Sequence, residues 1–175
     1  MALPLLAAGV CLGAENYGAR AELLSPEGKR NTSSITVSLV RVSTDDERDT
    51  LLGAFLSGDV RFIKKALASQ ESIGYVDRGK VKLAIKFAIS RPAGKGKVLT
   101  MVCDEPMLFV GGDIPDFEPK TGFDFAFVLL SVNADGKGTG EIAPLAKLKV
   151  GDEKTLIVTD YGSGVIDLED VTREK

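Results

Sequence analysis

The chain has 175 residues, of which 44% are hydrophobic and 27% are charged. This length and balance are typical of one soluble globular domain whose core is large enough to fold without metals or disulfides. The 22 basic and 25 acidic residues leave a net charge of -3. Because there is no basic excess to follow a phosphate backbone, we expect no nucleic-acid partner. The sequence has no histidine, which excludes Ser-His-Asp and Cys-His catalysis and the usual zinc sites.

The first 14 residues are uncharged and end in the small residues Gly13 and Ala14. A membrane span needs about 20 apolar residues, whereas this run has the length of the apolar core of a secretory signal peptide. We therefore expect a signal peptide over 1–14, truncated at its start, and one mature domain over 15–175 in the periplasm or secreted. The alternatives are a buried N-terminal element, or lipidation of Cys11, for which Val10 is an unfavourable preceding residue.

The first half of the chain combines strands with a helical hairpin. Alternating and β-branched residues predict strands near Ala19–Leu24 and over Ser34–Ser43. Thr44 and Glu47 have the spacing of a capping box, and Asp59 can cap a second short helix. The hairpin is thus expected over residues 45–69. Its expected apolar side chains are Leu51, Leu52, Phe55 and Leu56 in the first helix, and Val60, Ile63, Ala66 and Leu67 in the second.

From residue 73 onward the apolar period is two, which is typical of strands with one buried face. The strand Lys80–Ser90 should place Leu83, Ile85, Phe87 and Ile89 on the same face. The further predicted strands are Val98–Cys103, Phe123–Val132, Glu141–Val150, Lys154–Tyr161 and Val165–Val171, the last two joined as a hairpin by Gly162–Gly164. We expect an α+β fold, a predominantly antiparallel β sandwich or open barrel of about seven or eight strands with the helical hairpin inserted.

Aromatic residues gather around the long connection 104–122. Five of the eight phenylalanines lie between residues 109 and 127. An apolar loop of this kind either packs over the core or presents a surface to a ligand or partner. The candidate binding residues are Met107, Phe109, Phe117, Phe123, Phe125 and Phe127.

Carboxylates surround the same connection, and they raise a second possibility. Oxygen ligands are those that hard divalent cations prefer, so Asp104, Asp113, Asp116 and Asp124 could hold a metal or act as acid and base. A solvated acidic loop explains the same residues. Cys103 alternates with Leu99 and Met101 and precedes two acidic residues, which favours a core cysteine over a nucleophile.

Several segments resemble a family of exported bacterial proteins with no established function. They are TDDERDTLLGAF, TMVCDEPM, FDFAFVLLSVNADGKGTGEIAPLAKLKV and the ending DLEDV, so the resemblance runs from about Ser34 to the C-terminus. It implies export and a single β-rich domain, and no cofactor or catalytic residue. The family pattern favours a basic residue before Pro106, where this chain has Glu105.

Three hypotheses for the function follow from these patterns. The first is a non-catalytic exported domain that binds an apolar small molecule or an envelope protein. The second is a carboxylate-based hydrolase, with or without a divalent metal. The third is a structural accessory subunit.

Overall fold

The structure is a computed structural model that describes residues 13–24, 30–79, 82–107, 121–151, 156–160 and 165–174. Ten strands and two helices occupy this part of the chain: β1 Glu15–Leu24, β2 Arg30–Leu39, α1 Asp45–Leu56, α2 Val60–Ser69, β3 Gly74–Asp77, β4 Lys82–Ile85, β5 Phe87–Ala93, β6 Gly96–Cys103, β7 Phe125–Val132, β8 Lys137–Val150, β9 Leu156–Asp160 and β10 Ile166–Glu174. All strand pairs among them are antiparallel.

The strands form a nearly closed barrel in which most strands pair with their neighbours in the chain. Their order is β4-β3-β2-β1-β10-β8-β7-β6-β5, and β9 pairs with β8 outside this path. The first strand pairs with the last, and the two ends of the path, β4 and β5, are consecutive in the chain. The predicted antiparallel α+β class is confirmed. The predicted count of seven or eight strands is too low, and the sheet curls into a barrel of nine strands, not a sandwich.

A break at Lys86 divides the predicted strand Lys80–Ser90 and closes the barrel. Before the break, β4 pairs with β3; after it, β5 pairs with β6. The Lys86 amide donates a hydrogen bond of 2.9 Å to the Val102 carbonyl oxygen, which continues the β5–β6 ladder by one residue. One bent strand therefore supplies both ends of the path and brings them together.

The same break reverses which side chains face the barrel interior. Leu83 and Ile85 are interior, and beyond Lys86 the buried interior residue is Ala88. Phe87 points outward and packs in a second core. The prediction that Phe87 and Ile89 share a face with Leu83 and Ile85 is thus wrong, because the alternation does not continue through the break.

A similar reversal occurs in β8. Phe125 pairs with Ala146 and Phe127 pairs with Ala143, so β8 contains one extra residue between these pairs. As a result Ile142 lies in the barrel interior, whereas Ala146 and Leu148 lie outside it. Regular alternation along the predicted strand Glu141–Val150 would place these three residues on one face, and the extra residue prevents it.

The predicted final hairpin is also replaced by a different arrangement. Residues 146–150 of β8 pair with β9, and residues 137–142 of the same strand pair with β10. Both pairings are antiparallel, so β9 and β10 run in the same direction along one edge of β8. Pro144 lies between the two ladders and has no N–H to offer a partner. The predicted turn Gly162–Gly164 lies outside the described residues.

Two separate hydrophobic cores result from this topology. The interior core fills the barrel with side chains that are at most 7% exposed, including Tyr17, Leu99, Met101 and Leu130. The outer core lies between the helices and the outside of the barrel wall, where Ile63 and Leu67 of α2 meet side chains of β6, β7 and β8. The helices thus cover an outer face of the barrel.

The two predicted helices and their caps are confirmed. Thr44 and Glu47 form a complete capping box at the start of α1, and the Asp59 side chain accepts a hydrogen bond from the Arg61 amide at the start of α2. These interactions satisfy backbone N–H groups that have no partner within the helix. Local sequence therefore determines both helix starts.

An ion pair crosses one end of the barrel. Glu15 lies on β1 and Lys97 lies on β6. If β4 and β5 are counted as one bent strand, these two strands are on opposite sides of the barrel, four strands apart in either direction. Lys97 Nζ lies 2.7 and 2.6 Å from the two Glu15 carboxylate oxygens, and the Tyr17 hydroxyl donates to the same carboxylate at 3.1 Å. Burial opposes ionisation of Glu15, but Lys97 holds the pKa of this carboxyl below its usual range.

Close approach between strands requires glycine at this end of the barrel. A Cβ atom at Gly138 of β8 would overlap the carbonyl group of Ser131 on β7, and one at Gly96 of β6 would overlap that of Val132. Both contacts are to backbone, which cannot rotate away as a side chain can. The tight curvature of the wall therefore depends on these residues.

We expect Gly138→Ala to lower the free energy of unfolding by about 1–3 kcal/mol, because the added methyl group has no space. The matched control is Gly53→Ala in α1, where a Cβ atom would meet nothing within 4 Å. There the substitution should raise the free energy of unfolding by about 0.5–1 kcal/mol, since alanine favours the helix interior. Urea denaturation measures both changes, and equal effects at the two positions would contradict the interpretation.

Candidate functional site

The predicted aromatic binding residues on β7 face the helices. Phe125 is fully buried in the outer core, and Phe127 is partly buried and packs against it. Their neighbours Ala126 and Val128 point the other way, into the barrel. The helical hairpin therefore covers the aromatic face of β7 in this structure.

The other predicted binding residues lie elsewhere or outside the described residues. Met107 is 4% exposed and belongs to the interior core, and its amide donates to the Pro144 carbonyl oxygen at 2.7 Å. Phe123 is partly buried ahead of β7. Phe109 and Phe117 are outside the part of the chain that is described. Met107 and Phe125 thus lie on opposite sides of the barrel wall and do not line one surface together.

Two of the four predicted metal-binding carboxylates belong to the described residues. Asp124 lies 2.9 Å from Lys64 Nζ, so it joins the start of β7 to α2. Asp104 directly follows β6, while Asp113 and Asp116 lie outside the described residues. In the described ranges, no three acidic or cysteine side chains are grouped so that they could hold a metal ion.

Cys103 is buried inside the barrel, as its alternation with Leu99 and Met101 indicates. Burial, with smaller contributions from the charges of Asp104 and Glu105, raises the pKa of its thiol to about 12. The thiol is therefore protonated at neutral pH, and a protonated thiol is a poor nucleophile. The environment is that of a core cysteine.

The clearest exposed apolar surface in the described chain lies on the helical hairpin. Leu52, Leu56 and Phe62 are 51%, 47% and 54% exposed, and we call these three residues the hairpin surface. Helical geometry explains their exposure: Leu51 and Phe55 turn toward the outer core, which directs Leu52 and Leu56 about 100° away from it. On α2, Ile63 faces the barrel and its neighbour Phe62 does not.

Helix α1 is attached to the barrel without burying any residue. Its connection begins at Arg41, whose guanidinium donates two hydrogen bonds of 2.7 Å to the Glu47 carboxylate. At the other end of the hairpin, Gln70 donates to the Glu47 carbonyl oxygen, and Lys86 Nζ donates to the Gln70 carbonyl oxygen at 2.9 Å. Polar contacts thus position the hairpin on the bent strand, while its hydrophobic contacts are made mainly by α2.

The sequence did not separate the hairpin surface from the core. Leu51, Leu52, Phe55 and Leu56 were expected as one buried face, but such a face is too broad for a helix that contacts the barrel along a single line. The width of this apolar face was the available signal. Phe62 lay outside the predicted buried side of α2, and this position agrees with its exposure.

Comparisons of the chain with protein-family models, with curated proteins and with solved structures found no match. Neither of the two described helices is long and apolar enough to cross a bilayer. The functional argument therefore rests on the chain's own residues.

The Arg41–Glu47 pair makes the attachment of α1 sensitive to acid. Hydrogen bonds from Arg41 lower the pKa of Glu47 to about 2, against an ordinary value of 4.5. Because the folded-state pKa is depressed, this contribution to stability is complete above pH 4.5 and is lost as the pH falls toward 2.

We expect Glu47→Gln to lower the free energy of unfolding at pH 7 by about 1–2 kcal/mol, since it removes charged hydrogen bonds. The difference in the free energy of unfolding between this variant and the wild type should become smaller as the pH falls from 4.5 to 2. Urea denaturation across this pH range measures it, with Asp49→Asn, an exposed carboxyl on the same helix, as the control. A difference that stays constant with pH would show that the ion pair contributes nothing.

Proposed function

We propose that this protein is a non-catalytic binding domain that docks another protein through the hairpin surface. The observation that carries the proposal is that the 12-residue helix α1 buries no residue, and that three large apolar side chains of the hairpin are each about half exposed. Covering such side chains removes apolar area from water, which is the main favourable contribution to protein association.

The packing of the barrel favours a protein partner over an enclosed small molecule. Eight- and nine-stranded barrels can hold a ligand when their interior is open. Here the described interior side chains fill the barrel as one continuous core. An apolar partner is therefore better accommodated on the outside, where the hairpin surface lies.

The described polar groups support binding more than catalysis. Asp124 is engaged by Lys64, Glu15 is engaged by Lys97, and the Cys103 thiol is protonated. A carboxylate hydrolase needs carboxyl groups that converge on a substrate, and no observation among the described residues favours that alternative. An accessory subunit remains compatible with docking through the hairpin surface.

We further propose export of the chain after removal of residues 1–14. The first strand begins at Glu15, the residue directly after the proposed cleavage site, and Gly13 and Ala14 are exposed. Every described helix and strand would therefore remain in the mature protein. Together with the resemblance to exported bacterial proteins, this supports a periplasmic or secreted location for the domain, and therefore for its partner.

Photo-cross-linking from position 62 in the native host tests the docking proposal. A photoreactive phenylalanine analogue at Phe62 should capture one protein species, because this side chain lies within the proposed contact. Leu52→Ser with Leu56→Ser should reduce the yield at least fivefold. The partner, identified by mass spectrometry and purified, should bind the Phe62→Ala variant at least tenfold more weakly in calorimetry.

Ile157 on β9 provides the matched control, because it is an apolar side chain of similar exposure, 44%, outside the hairpin. Ile157→Ser should leave both the cross-linking yield and the affinity unchanged. A cross-linking yield that does not change with the leucine substitutions would refute docking of another protein at the hairpin surface. Cross-links that join two copies of this chain would refute it as well.

A further inference from the structure

Strand β9 lies beside the barrel, and neither of its faces is covered. It pairs with residues 146–150 of β8, and among the described residues it has no second neighbouring strand. Successive residues of a strand point to opposite faces, so a strand that packs on a core buries every second side chain. In β9, Ile157, Val158 and Thr159 are all exposed, Ile157 by 44% and Val158 by 45%. Both faces of this strand are therefore open to solvent.

The outer edge of β9 is suited to pairing with another strand. In an antiparallel pair, alternate residues point their N–H and C=O groups away from the partner strand. Such an edge is a template for a further strand, and proteins usually protect it with lysine, proline or a bulge. The segment Leu156–Asp160 contains no lysine or proline, its register with β8 is continuous, and its one charged residue is at its end. These devices are thus absent from β9.

We propose that β9 pairs with β9 of a second copy of this chain, antiparallel and about a two-fold axis at Val158. A two-fold axis places the same surface of each copy in the contact. This register uses all five residues of the strand, with Val158 opposite Val158 and Ile157 opposite Thr159. Directly opposed β-branched side chains stabilise a sheet.

The charge at the end of β9 favours the same register. With the axis at Val158, Asp160 of one copy lies opposite the apolar Leu156 of the other. An axis at Asp160 would instead place two carboxylates opposite each other, which is unfavourable. The contact would join the two β8–β9 ribbons into one continuous sheet. Because it involves only five residues from each copy, and small interfaces are typical of weak complexes, we expect a dimer that forms at high protein concentration.

Sedimentation velocity of the purified chain tests the proposal. The wild type should change from monomer toward dimer as its concentration rises from micromolar to near millimolar. Val158→Lys places two ammonium groups opposite each other and should weaken dimerisation at least tenfold. Val158→Glu should do the same with two carboxylates. An equal mixture of the two variants should restore association to within about threefold of the wild type, because opposite charges then face each other.

Leu129→Lys is the matched control, since Leu129 is an apolar strand residue outside β9 with a similar exposure of 38%. It should leave dimerisation unchanged. Formation of the mixed dimer would also show that both Val158 variants fold. A wild-type chain that stays monomeric near millimolar concentration would overturn the proposal and would leave the edge to a strand of another protein. A dimer that survives Val158→Lys, or a mixture that associates no better than either variant alone, would also overturn it.

This contact is separate from the hairpin surface. Sedimentation requires only the purified chain and reports on β9, whereas the cross-linking experiment requires a partner in the native host and reports on the helical hairpin. Failure of either proposal therefore leaves the other to be judged by its own measurement.

Discussion

The bend at Lys86 is the constraint on which the rest of the structure depends. The residues before it pair with β3 and those after it pair with β6, so a single chain segment joins the two ends of the sheet. Its amide bonds to Val102 on the neighbouring strand, and its ammonium group bonds to Gln70 at the end of the helical hairpin. The same residue thus closes the barrel and helps to position the helices. Without closure, the outer strands would present unpaired edges to solvent.

Reversal of the side-chain alternation at this bend creates two cores in place of one. Ala88 enters the barrel interior, whose side chains leave no exposed apolar lining in the described part. Phe87 joins Phe125 and Phe127 beneath the helices. The aromatic face of β7 is therefore occupied by the chain's own hairpin. The exposed apolar side chains of this region are instead those of Leu52, Leu56 and Phe62, on the outside of the helices. For this reason we assign partner binding to the hairpin surface and not to β7.

The features that the sequence predicted correctly are those determined within a few residues. The capping box of Thr44 and Glu47 and the cap at Asp59 both depend on local hydrogen bonds. The errors arise where pairing between distant strands overrides local alternation, as at Lys86 and in the extra residue of β8. An alternating pattern shows that a strand has two faces, but it does not show which face is interior after a break.

Nuclear Overhauser effects from Phe87 and Ala88 test the bend most directly. In the full-length chain we expect the Phe87 ring protons to contact methyl groups of the outer core, such as those of Leu67. The Ala88 methyl group should instead contact interior side chains. If the Phe87 ring contacts interior methyl groups such as those of Leu130, the alternation continues through Lys86. The bent strand and the two-core arrangement would then both be wrong.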